Sequence, residues 1–155
     1  MEKVVEKSRD LKVGDPQDPQ THLGPLCTMA QVERIEATLE TAVKQGAKVV
    51  FGGQRARAES PHYFRPTLVI CESAETETLK TELFGPVMSL IPFDTEAEAI
   101  ALANDSDFGL GSGVFTNNLA RAHRVSARIR SGITWVNTYR AISPIAPFGG
   151  VNESG

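Results

Sequence analysis

From Val87 onward the chain alternates short apolar runs with helical segments, and that order restricts the fold more than any other feature. Val87 to Phe93 is strand-like, entered through Gly85-Pro86, with Pro92 weakening its far end because a proline cannot donate to a ladder. Thr95 with Glu98 makes a capping box ahead of a helix predicted over Glu96 to Asn104, which carries Ile100 and several alanines. Ser112 to Phe115 reads as a strand, Asn117 or Asn118 caps a helix ending near Ile129, Gly132 breaks it, and Ile133 to Val136 is another strand. Strand, helix, strand, helix, strand with short links points to right-handed βαβ crossovers. The expected class is therefore α/β, a largely parallel sheet flanked by helices.

The upstream half fits the same class. Glu2 to Leu11 reads as the tail of a charged helix with Val4, Val5 and Leu11 as its apolar side. Lys12 to Pro25 is a loop, since Gly14, Pro16, Pro19 and Pro25 forbid regular structure. Thr28 and Gln31 form a capping box, and Val32, Ile35, Leu39 and Val43 recur at helical spacing until Gly46 stops the helix as a left-handed cap. Lys48 to Phe51 and Thr67 to Cys71 are strand candidates. No internal repeat or domain boundary interrupts the 155 residues, which read as a single partial domain. Everything after Val136 is a loop rich in Pro and Gly, so the domain looks unfinished.

Composition narrows the function classes. With 41% hydrophobic residues the chain can build a core, which excludes disorder, collagen and coiled coil. A net charge of −3 argues against nucleic acid as a partner, because phosphate neutralisation needs clustered Lys and Arg. No apolar run approaches the ~20 residues that span a bilayer, and MEKVVEKSRD has no signal-peptide apolar region, so no membrane role is expected. Cys27 and Cys71 lie apart, with no CxxC and no histidine at metal-ligand spacing. That usage suits a reducing, cytoplasmic setting and no metal site.

Local motifs have ordinary readings. Gly109-Leu110-Gly111-Ser112-Gly113 resembles a dinucleotide fingerprint only superficially: position 114 is Val, and the glycines precede a strand instead of opening a helix. Arg121, Arg124 and Arg128 line one helix face and read as a solvated stripe, with His123 among them as a surface residue. Cys27 stands one residue before a helix start, a setting that can lower a thiol pKa, whereas Cys71 ends an apolar strand and reads as packing. Two segments escape such accounts: Glu82-Leu83-Phe84-Gly85-Pro86-Val87 and Pro147-Phe148-Gly149-Gly150.

Read together, the segments VGDP (13–16), GPL (24–26), GAKVVFGG (46–53), YFRPTL (63–68), ELFGPV (82–87), EAIALAND (98–105), FGLGSGVFT (108–116), WVNTY (135–139) and PFGG (147–150) resemble the C-terminal part of the catalytic domain of the NAD(P)-dependent aldehyde dehydrogenases. They come in family order and cover nearly all of this chain, but only a fraction of a family member. The resemblance implies oxidation of an aldehyde to a carboxylic acid with NAD or NADP, through a cysteine thiohemiacetal and a thioester that a glutamate-activated water hydrolyses. It implies that Glu82 binds the nicotinamide ribose, where a carboxylate can accept from both hydroxyls of a vicinal diol. Phe84 and Leu110 match cofactor-side residues, and Ile142 and Phe148 match substrate-tunnel and anchor-loop positions.

Two positions depart from the family pattern: Thr81 stands where a second acid is frequent, and Asn152 where a lysine is frequent. Ala146 to Gly155 resembles succinate-semialdehyde-type members, with Ser143 as a candidate carboxylate contact. The resemblance also implies that the nucleophilic cysteine, the general-base glutamate, the Rossmann-like cofactor domain and the C-terminal oligomerisation strand lie outside these residues. Neither Cys27 nor Cys71 matches the nucleophile. The chain is thus expected to hold no catalytic residue and to be inactive alone, its parent being a homo-oligomer. The strand ending at Val136 is expected to be an edge that invites self-association. Two alternatives stay open: a stand-alone, non-catalytic binding module of the same fold, and part of an acylating, coenzyme A-dependent semialdehyde dehydrogenase. An in-frame upstream cysteine loop in the gene would exclude the module.

Overall fold

The structure, a computed structural model, describes residues 2–57 and 60–155. These form two compact units, one running to Pro92 and the other from Phe93 to Gly155.

In the first unit, helix α1 (Glu2–Arg9) is followed by the Pro-rich loop and then by α2 (Met29–Lys44). Thr28 caps α2 as its sequence requires: the hydroxyl accepts from the Gln31 N–H at 3.3 Å and the Gln31 side chain accepts from the Thr28 N–H at 3.2 Å. The helix ends in a Schellman turn, in which the Ala47 N–H donates to the Ala42 carbonyl at 2.9 Å and the Gly46 N–H to the Val43 carbonyl at 3.0 Å. Gly46 takes φ +95°, a left-handed value that a side chain would strain. Val32, Ile35, Leu39 and Ala42 form the buried face. Val43, expected in that stripe, lies on its margin and is exposed, with the smaller Ala42 taking the inward place.

Strands β1 (Lys48–Phe51), β2 (Thr67–Ile70) and β3 (Val87–Leu90) form a sheet in the order β1-β2-β3. The β2–β3 pair is parallel and is joined through a short helix, α3 (Glu77–Lys80), whereas β1 runs antiparallel to β2. Central β2 is buried over Thr67, Leu68 and Val69, as befits a strand covered on both faces. Val69, Phe64, Cys71 and Leu83 join the α2 stripe in one apolar cluster.

The second unit holds α4 (Glu96–Asn104), β4 (Gly111–Val114), α5 (Leu119–Ser126) and β5 (Ile133–Val136). Thr95 and Asn118 cap the two helices with side-chain acceptors. β4 and β5 pair in parallel with α5 as the crossover, and β5 has β4 as its one strand partner among the described residues. Val114, Ala122 and Val125 are buried between them. The α/β class agrees with expectation, and the helix predicted over Glu96 to Asn104 has those bounds. Of the two crossovers expected after Val87, the one from β4 through α5 to β5 is present, whereas β3 pairs in parallel with β2 and, among the described residues, α4 does not link it into the β4–β5 sheet. Four predicted elements are shorter than expected: β2 stops at Ile70, β3 stops before Pro92, α1 stops at Arg9, and α5 stops at Ser126.

Candidate functional site

The segment that follows α3 is shaped by what it buries. Leu83 enters the apolar cluster at 8% exposure, while Glu82 and Phe84 on either side stay outside it. Phe84 is 69% exposed and adopts φ +47°, which a bulky L residue rarely takes. The neighbours explain how this is enforced. A Cβ on Gly85 would run into the Ile35 side chain, so the backbone passes directly over α2. The Pro86 carbonyl then accepts from the Thr67 N–H at 2.8 Å, locking the segment to the sheet. Strain of this kind costs about 1–3 kcal/mol and persists only where packing over-determines the backbone. Glu82 makes no hydrogen bond or ion pair among the described residues, so both carboxylate oxygens are available to a ligand.

In the second unit Leu110 precedes β4 and is 45% exposed. Its neighbour Gly109 is pinned three ways. The Gly109 carbonyl accepts from the N–H groups of Gly132 at 2.9 Å and Val151 at 3.1 Å, and its own N–H donates to Ser154 Oγ at 3.2 Å. The Leu110 carbonyl also accepts from Ile133 N–H at 3.2 Å. Leu110 is thereby carried on fixed backbone with its side chain outside the core.

Ile142 and Phe148 sit in the long loop after β5, at 62% and 53% exposure, with Ile145 even more open between them. Clustered exposed apolar side chains mark a contact surface more often than chance. Polar clamps hold the loop's start. Asn137, at φ +54°, accepts from the Thr116 N–H at 2.8 Å and donates from Nδ2 to the Thr116 carbonyl at 3.0 Å. Trp135 Nε1 donates to the Ala141 carbonyl at 2.7 Å, and its ring stacks edge-on with Tyr139 at 5.1 Å. Neither Trp135 nor Asn137 was singled out by sequence as a loop clamp. Both act through partners that no spacing rule connects.

Of the remaining candidates, Cys71 is fully buried with Sγ 3.6 Å from Thr78 Oγ1, and Cys27 is exposed. The arginine stripe needs correction. Arg124 grips Glu96 with two bonds of 2.6 and 2.7 Å, and Arg121 adds a third at 3.2 Å, so the stripe ties α5 to α4 while remaining partly solvated. The hydrogen bonds from Arg124, reinforced by the one from Arg121, hold the Glu96 carboxyl down at about 2. Among the described residues no group of three or more His, Cys, Asp or Glu is arranged to hold a metal ion. Nor is any helix there long and apolar enough to cross a membrane.

The side chains of Glu82, Phe84, Leu110, Ile142 and Phe148 are thus all exposed. Comparison with known proteins gives the family. The family model for the aldehyde dehydrogenase family matches residues 1–155, and the chain belongs to that family. It is 49% identical to (Z)-2-((N-methylformamido)methylene)-5-hydroxybutyrolactone dehydrogenase of Acinetobacter baylyi, over 100% of this chain and 32% of that protein. It is 44% identical to betaine aldehyde dehydrogenase of Cereibacter sphaeroides, over 99% of this chain and 32% of that one. Among solved structures, betaine aldehyde dehydrogenase from Staphylococcus aureus in complex with NAD+ superposes with a TM-score of 0.91 at 30% identity, covering 97% of this chain and 31% of that one. The chain thus spans about a third of the length of the curated relatives it matches.

Proposed function

We propose that this chain forms part of an enzyme that oxidises an aldehyde to a carboxylic acid with NAD or NADP, and that it supplies cofactor and substrate contacts but no catalytic residue. The observation that carries the reading is the segment around Glu82. An unpartnered carboxylate and an exposed aromatic ring are held on strained backbone one residue apart, with Leu83 buried between them. A ribose diol needs two acceptors and a nicotinamide ring needs an apolar face, so these groups fit the cofactor's chemistry. The bound cofactor would accept the hydride. Glu82 would hold the ribose hydroxyls, while Phe84 and Leu110 would exclude water from apolar contacts. Ile142 and Phe148 would give the aldehyde's carbon chain an apolar surface.

The 155-residue chain alone is proposed to be inactive, because a buried Cys71 is out of reach of an aldehyde and no resemblance assigns Cys27 as the nucleophile. One buried and one exposed free thiol also suit a reducing, cytoplasmic setting. Two measurements test the reading. The purified chain should give no aldehyde-dependent NADH or NADPH. In the complete enzyme, Glu82→Gln should raise the KM for cofactor at least about tenfold, the loss of a charge-assisted hydrogen bond, with a smaller change in the KM for aldehyde. An unchanged cofactor KM would remove Glu82 from the site.

A further inference from the structure

A cavity of about 210 Å³ in the first unit gathers three arginines from three separate segments: Arg9 at the end of α1, Arg57 in the loop after β1, and Arg65 just before β2. Ser8 and Phe51 complete much of the wall, and among the described residues no acidic side chain lines it. This departs from the chain as a whole, in which 19 acidic residues outnumber 16 basic ones. Four other arginines are committed: Arg55 to Glu36 at 2.7 Å, Arg121 and Arg124 to Glu96, and Arg130 to the Asn104 carbonyl. The guanidinium groups of Arg9, Arg57 and Arg65 have no ion pair or hydrogen bond among the described residues. The nearest acid in sequence to Arg9, Asp10, lies 3.9 Å from Lys7 instead. Arg57 is steadied without spending a donor, since its guanidinium carbon stands 5.0 Å from the Tyr63 ring centre.

We propose that this cavity binds a small dianionic oxyanion of the phosphate class. Three guanidinium groups without a counter-charge repel one another and offer planar, forked donors that match phosphate oxygens. The volume lies below the roughly 300–1,000 Å³ of pockets that enclose whole organic ligands, so the site suits an isolated oxyanion or one phosphoryl group, not an enclosed nucleotide. It is independent of the Glu82 segment and of the dehydrogenase reading.

The test is titration of the 155-residue chain with sodium phosphate, followed by backbone amide NMR, against sodium chloride at matched ionic strength. Saturable shifts confined to Ser8–Leu11, Ala56–Arg57 and Arg65 are expected. Arg57→Ala or Arg65→Ala should weaken phosphate at least about tenfold, the loss of a hydrogen bond to a charged group, and Arg57→Lys should restore part of it. All three side chains are exposed, so circular dichroism should show the fold intact, and Arg9→Gln gives a variant independent of the Tyr63 stack. An adenosine monophosphate arm separates the sources: equal affinity assigns a phosphomonoester, and weaker binding assigns free oxyanion. A response matched by chloride, or an affinity unchanged in the double variant R57A/R65A, overturns the proposal.

Discussion

Two of the three segments that carry the proposed contacts are held by opposite means. Around Glu82 a single buried side chain, Leu83, and a glycine pressed onto Ile35 fix the backbone, with no side-chain clamp on Phe84 itself. The loop after β5 buries almost nothing and depends on hydrogen bonds from Asn137 and Trp135. Packing tolerates little volume change, whereas a polar clamp leaves the residues beyond it free to vary. The comparison teaches that the backbone of one segment is fixed by building it into a core, while that of the other is fixed by tethering it outside one.

Leu83→Ala should break the first arrangement most severely, destabilising the chain by about 2–4 kcal/mol through lost burial and a residual cavity. Urea unfolding reads this directly, and a loss below about 1 kcal/mol would mean that burial does not fix the segment. Asn137→Ala should cost less, about 1–2 kcal/mol for two hydrogen bonds across to Thr116. Its amide-exchange signature should be confined to the second unit. If both variants loosened the Glu82 segment equally, the contrast between core and tether would fail.

A finer comparison concerns Phe84. Because its φ of +47° is left-handed, Phe84→Gly should be more stable than Phe84→Ala by about 1 kcal/mol, although glycine is the more flexible residue. The reverse ranking in thermal unfolding would show that the strain is absent. The smallest effect is electrostatic. The folded Glu96 carboxyl is lowered to about 2 from an ordinary 4.5, first by its hydrogen bonds to Arg124. Its contribution is therefore complete above about pH 4.5 and is lost as pH falls toward 2. Glu96→Gln should lower stability slightly at pH 7, and the gap to the parent chain should close across that window. A gap that widened on acidification would contradict the assignment.

Much of the fold was legible because local chemistry announced it. Capping boxes at Thr28 and Thr95 and the glycine stop at Gly46 carry their own hydrogen-bond logic, and all three stand in the structure. Helix α3 left no such trace, since ETLK has no side-chain cap bond and is too short for a periodicity. The antiparallel setting of β1 was equally silent, as strand direction is decided by partners distant in sequence. At the site, family resemblance singled out Glu82 and Phe84, but nothing in the letters reveals a phenylalanine at positive φ. That conformation arises from Leu83 and Gly85 meeting α2 in three dimensions.

The three bonds on Gly109 also set a timetable. Its N–H finds its acceptor in Ser154, 45 residues further on, and its carbonyl waits for Gly132 and Val151. During synthesis, at about 5–20 residues per second, the turn that presents Leu110 stays open to water for seconds after it leaves the ribosome. The start of β4 therefore gains its full set of bonds only once Ser154 has been made, and an interruption anywhere before Ser154 leaves it without that tether.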